Sequence, residues 1–126
     1  MAFDDLYKQA KSVLNPRRLS DTAEAGGVGA ALLTDDGSVY TGVCIDTASS
    51  MGFCAEHAAA VAMVTAGKSR VVKMIAVDWD GQILPPCGRC REFIIQLHPG
   101  NSGAEVMVAE DTVITLRELL PHHWRS

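Results

Sequence analysis

The chain has 126 residues, 48% of them hydrophobic and 21% charged, with a net charge of -4. That length fits a single domain, residues 1–126, whose core needs no disulfide or metal staple, and the composition leaves no disordered or low-complexity part. The Lys and Arg are too scattered to follow a nucleic-acid backbone, no apolar run approaches a membrane span, and nothing near the N-terminus reads as a secretory leader. Nucleic-acid and membrane partners are therefore excluded, and a cytoplasmic location is expected.

Phe3, Leu6, Tyr7, Ala10, Val13 and Leu14 recur at three- and four-residue spacing, which predicts a packing helix that Asn15-Pro16 stops. Leu19 to Gly27, polar with small residues, reads as a loop. Val28 to Thr34 and Ser38 to Ile45 read as a hairpin about the turn residues Asp35-Asp36-Gly37. Asp46 to Phe53 crosses to a helix from Cys54 to about Ala66. That helix is apolar on every side, as expected of one buried all round or packed against a neighbouring subunit.

Gly67 ends the helix, and Val71 to Trp79 is a central strand. Pro85 and Pro86 introduce a helix from about Gly88 to Leu97, which His98-Pro99-Gly100 closes. Glu105 to Ala109 and Val113 to Leu116 read as strands, and Arg117 to Leu120 as one helical turn. This order predicts an α/β sandwich with helices on both faces of a mixed sheet.

Chemistry concentrates in two short stretches, Cys54-Ala55-Glu56 and Pro86-Cys87-Gly88-Arg89-Cys90. Cys54 and Cys87 both fall at helix starts, where free N–H groups and the helix dipole favour a thiolate. Cys87 and Cys90, three apart, share one side of a first turn. Three thiolates make a metal centre, and zinc held by three protein ligands keeps a fourth position for water. Glu56 beside it suits a proton shuttle, since zinc lowers the pKa of bound water to about 7 and a neighbouring carboxylate can carry its proton onward.

Two rival readings use the same residues. Cys54-x-x-His57 with Cys87-x-x-Cys90 spells a closed Cys3His structural zinc, in which Glu56 has no task. If His57 is not a ligand, it can donate a hydrogen bond to a thiolate and offset the charge of three sulfurs. A dithiol redox site at Cys87 and Cys90 leaves Cys54-Ala55-Glu56 unexplained. Cys44 lies outside the cluster, as a strand residue.

These motifs match the signature of the zinc nucleobase deaminases. Val28-Gly29-Ala30-Ala31-Leu32, Asp36-Gly37, Thr41-Gly42 and Ala48-Ser49 resemble the hairpin and crossing loop of small cytidine deaminases. Pro86 to Arg91, Leu97-His98-Pro99-Gly100 and Arg117-Glu118-Leu119-Leu120-Pro121 resemble blasticidin S deaminases. The resemblance implies a three-layer α/β/α sandwich with a five-stranded mixed sheet, a homotetramer whose sites neighbouring subunits complete, and zinc on Cys54, Cys87 and Cys90. It implies hydrolysis of the exocyclic amine of an aminopyrimidine nucleoside, with Glu56 protonating the ring nitrogen and then the departing ammonia. The backbone N–H groups near Ala55 and Cys87 hold the base.

The departures from that pattern fall at the sugar end. Where cytidine deaminases carry Asn and Glu for the ribose hydroxyls, this chain has Cys44 and Asp46, and an aromatic residue of the family is replaced by Gly26. A thiol is a weak hydrogen-bond partner, so a larger or differently substituted aminopyrimidine such as blasticidin S fits at least as well as cytidine. Trp124 is placed to close this pocket, to close a neighbour's, or simply to pack.

Overall fold

The computed structural model describes residues 1–125. Helix α1 (Phe3–Ser12) buries Leu6 and Ala10 as its periodicity requires. The next segment departs from expectation. Instead of a loop, Arg17–Ser20 forms strand β1, and β2 already begins at Ala23 and runs to Thr34. The small and polar residues here accommodate an irregularity between Ala25 and Gly29, where the pairing of β2 slips. Gly26 within it has φ +85°, and a Cβ there would lie 2.0 Å from the Asn15 carbonyl oxygen. Only glycine fits such a place.

Strand β3 (Val39–Thr47) returns antiparallel to β2, and the tight turn is fastened by the Asp36 carboxylate, which accepts from the Ser38 N–H at 3.0 Å and meets Lys68 Nζ at 2.8 Å. Ile45 and Phe53 then exchange two backbone hydrogen bonds of 2.9 and 3.0 Å. They pinch off the crossing loop and deliver the chain to α2 (Ala55–Thr65). The remaining elements are β4 (Val71–Asp78), β5 (Ile83–Leu84), α3 (Gly88–Leu97), β6 (Glu105–Ala109), β7 (Thr112–Thr115) and α4 (Leu116–Leu119).

Across the sheet the order is β3-β2-β4-β6-β7, with β1 added to β2 and β5 to β4. The sheet thus has seven strands rather than five, the two extra ones short segments that pair with the ends of the interior strands β2 and β4. It is mixed as expected, since β4 and β6 are parallel and every other pair antiparallel. Alternate residues face opposite layers. Ala31, Leu33, Ile75 and Val77 meet α1, while Ala30, Leu32, Met74 and Ala76 join the core shared with α2 and α3.

Helix α2 comes unusually close to the sheet, because a Cβ at Gly42 would stand 2.4 Å from the Ala59 nitrogen. It is not buried all round in the single chain. Ala55, Glu56, Ala59, Ala60 and Met63 are covered, whereas Val61 and Val64 are each 47% exposed. On the far side of α3, the buried Asn101 stitches three segments: its Oδ1 accepts from the Val71 N–H, and its Nδ2 donates to the carbonyls of Ser69 and Ile94. Among the described residues no helix is long and apolar enough to cross a membrane.

Candidate active site

Cys54 and Cys87 occupy the N-cap positions of α2 and α3, both in extended backbone conformation, and Cys90 lies in the first turn of α3. The sulfurs of Cys54 and Cys87 are 3.3 Å apart and those of Cys87 and Cys90 3.6 Å, and all three lie within 4.8 Å of one another. Tetrahedral zinc with its sulfurs at about 2.3 Å sets neighbouring sulfurs about 3.8 Å apart. A few tenths of an ångström of opening therefore admits the ion, and soft thiolates suit it. The second stretch is tethered by Arg91, whose Nε donates to the Pro86 carbonyl at 2.7 Å while its guanidinium also donates to the Leu119 carbonyl at 2.9 Å.

The three thiols do not ionise alike. Burial, then the hydrogen bond with Cys87, pushes Cys54 up to about 11. Burial, followed by the charges of Glu56 and Cys54, pushes Cys90 higher still. For Cys87 burial works the same way, but backbone N–H groups of Cys90 and Arg89 and the flanking thiols prevail and lower it. Neutral protein thus holds protons that a bound cation would displace.

Glu56 is only 4% exposed, and burial raises its pKa against the opposing effect of its own backbone N–H. A carboxyl group that keeps its proton more readily than one in water is suited to both accept and donate.

His57 takes no part in the cluster. Among the described residues the mutually close donors are the three thiols, and the imidazole instead stacks on Phe93 at 4.3 Å and lies 5.3 Å from Phe53. Its Nδ1 is buried without a hydrogen-bond partner, so it donates nothing to a thiolate from there. Burial, and secondarily the charge of Arg89, lowers its pKa and keeps the ring neutral. The expected roles as fourth ligand or thiolate donor give way to packing between two aromatic rings.

A cleft of about 530 Å³ opens over the thiols and is lined by Cys54, Ala55, Glu56 and Cys87 at one end and by Val28, Cys44 and Asp46 at the other. Cys54, Cys87, Glu56, Ala55, Cys44 and Asp46 therefore all line this cleft, and the buried Cys90 lies against Cys87. Cys44 Sγ accepts from the Val28 N–H at 3.3 Å. Thr47, Ser50, Gly52 and Phe53 of the crossing segment line the cleft, as do Arg89 and Leu84, which were not expected there. Arg89 could have been suspected from its place between the two cysteines. Trp124, 62% exposed, is not among the lining residues, and its backbone N–H donates to the Glu92 carboxylate.

The model of the cytidine and deoxycytidylate deaminase zinc-binding region matches residues 4–105, a span that holds all three thiols and Glu56. The chain belongs to this deaminase family. Cytidine deaminase of Mycobacterium tuberculosis is 38% identical over 82 residues, which cover 64% of this chain and 59% of that protein. Cytidine deaminase of Halalkalibacterium halodurans is 37% identical over 97 residues, 75% of this chain and 74% of its own. Among solved structures, cytidine deaminase from M. tuberculosis superposes with a TM-score of 0.83 at 30% identity, covering 100% of this chain and 99% of that one. The enzyme from Burkholderia pseudomallei gives 0.80 at 28% identity, covering 98% and 100%. The deaminase fold thus spans both chains end to end, although the sequence match to the mycobacterial relative spans little more than half of that protein.

Proposed function

We propose that residues 1–126 form one deaminase domain that hydrolyses the exocyclic amine of a small aminopyrimidine nucleoside and releases ammonia. The observation that carries this reading is the burial of Glu56 in the same cleft as Cys54 and Cys87, with Cys90 close enough for the three thiols to share one metal. Cys54, Cys87 and Cys90 would hold zinc, which supplies Lewis acidity and a water acidified toward neutrality. Glu56 takes the water's proton, gives one to the ring nitrogen beside the reacting carbon, and later protonates the departing ammonia. The N–H groups at the starts of α2 and α3, by Ala55 and Cys87, orient the base, and the sheltered position of Glu56 keeps its proton from bulk water.

A structural Cys3His zinc is disfavoured, because His57 stands apart from the thiol cluster. Cytidine, deoxycytidine and analogues such as blasticidin S are the candidate substrates. With Cys44 bonded to the Val28 N–H, ribose hydroxyls find fewer partners than in a pocket bearing Asn and Glu. The uncovered apolar side of α2, Val61 and Val64, supports a homotetramer. In such an assembly the exposed Trp124 would serve a neighbour's cleft rather than its own. Unpaired cysteines held for a metal suit the reducing cytoplasm.

The test is direct. Purified protein carrying about one zinc per chain is incubated with cytidine, deoxycytidine and blasticidin S, and ammonia is measured. Release from at least one of them, abolished in Glu56→Gln with zinc retained, is the expected result; silence across a broad aminopyrimidine panel overturns the proposal.

A further inference from the structure

The cleft continues past Cys44 into a second hollow of about 400 Å³, which shares Val28, Cys44 and Asp46 with the first. Its outer wall is Trp79, just beyond the end of β4 and 65% exposed. The strand facing that ring is bare. A Cβ at Gly27 would lie 3.7 Å from the indole, and Gly26 cannot carry a side chain because the Asn15 carbonyl occupies the space. Cys44 Sγ, which lines both hollows, is already bonded to the Val28 N–H. This end of the cleft therefore offers a ligand an indole face beside Ala25, Gly27 and Val28, while Arg17, Arg18, Glu24 and Asp46 line the rest of the hollow. An exposed indole beside an open hollow gains from a flat apolar group laid against it, since water is released from both surfaces.

We propose that Trp79 is a specificity-determining residue, stacking on the part of the substrate farthest from the reacting amine. The substrate class follows: an aminopyrimidine whose sugar or sugar-like ring bears a further flat or apolar extension, rather than a bare ribose. This rests on the deaminase reading above and deepens it at the opposite end of the same cleft.

Cytidine and 5′-O-benzoylcytidine serve as probes. In kinetics with the zinc-loaded protein, the ratio of kcat/KM for the benzoylated substrate to that for cytidine falls about tenfold in Trp79→Ala, mainly through KM, and Trp79→Phe recovers most of it, as loss and return of one aromatic stack predict. In the Glu56→Gln, Trp124→Phe double variant Trp79 is the sole indole, and 5′-O-benzoylcytidine quenches its fluorescence saturably. An unchanged ratio in Trp79→Ala overturns the proposal. So does indole emission that is already blue-shifted and stays constant while calorimetry shows the probe binding, which would make Trp79 a packing residue between copies. Turnover of cytidine with refusal of the benzoylated probe removes this inference alone, whereas ammonia release from neither probe nor any other aminopyrimidine removes the deaminase reading with it.

Discussion

Cys54 and Cys87, 33 residues apart in the chain, bring their sulfurs to 3.3 Å at the starts of two different helices. His57, one turn into the first of those helices, turns to Phe93 instead. Cys54→Ala or Cys87→Ala should therefore lose zinc on purification, while His57→Ala keeps it. The His57 variant loses only its aromatic stack, about 0.5–1.5 kcal/mol of stability in a urea titration. Loss of zinc from His57→Ala would restore the closed Cys3His site.

Zinc affinity should climb steeply with pH. Cys54 is held up near 11 and Cys90 above it, so binding must displace both protons throughout the neutral range. Each displaced proton contributes about tenfold in apparent affinity per pH unit. Competition with a chromophoric chelator between about pH 6.5 and 8.5 should accordingly give a slope of at least about two. A flat profile would mean that the thiols are already ionised.

The buried carboxyl of Glu56 sets a sign for stability. Its folded pKa is raised above the ordinary 4.5, so its contribution is fully present below 4.5 and is lost as pH rises through the raised value. In zinc-free, reduced protein, Glu56→Gln should gain in Tm over the parent on going from acid to mildly alkaline buffer. Equal differences at both ends would place the carboxylate in a solvated setting.

Arg91 fastens the Pro86–Cys90 stretch without touching the thiols, through the Pro86 and Leu119 carbonyls. Hydrogen bonds from a charged donor are worth about 1.5–3 kcal/mol. Arg91→Met should thus release zinc to a chelator about tenfold faster, with Arg91→Lys intermediate because an ammonium cannot span both carbonyls as a planar fork does. Indifference of the release rate would reduce Arg91 to a surface contact.

Asn101 is fully buried and satisfies one N–H and two carbonyls of the backbone. Asn101→Ala strands all three, and each orphaned buried group costs about 1–3 kcal/mol. A loss of about 3 kcal/mol in the urea midpoint analysis is expected; a loss below about 1 would show that water replaces the amide.

The thiol cluster and Glu56 were legible because their spacing fixes them to helix starts, and local structure there follows local sequence. The α1 face was legible for the same reason. Leu19 to Gly27 was not. Strand β1 is exposed along its whole length and so shows no alternation, and β2 breaks its own period at the glycine pair. The role of His57 also escaped the sequence. Cys-x-x-His fits a ligand set as well as a stack, and the choice was made by Phe93, which reaches the ring from α3. Helix α2 was read as enclosed because its composition suits enclosure, yet one chain leaves Val61 and Val64 uncovered.

The two ends of the cleft belong to different parts of the scaffold. The thiol end is built from two helix starts, and the far end from Gly27, Val28, Cys44, Asp46 and Trp79. On the proposed reading, changes at the far end can therefore alter what the cleft accepts while the thiols and Glu56 keep their places.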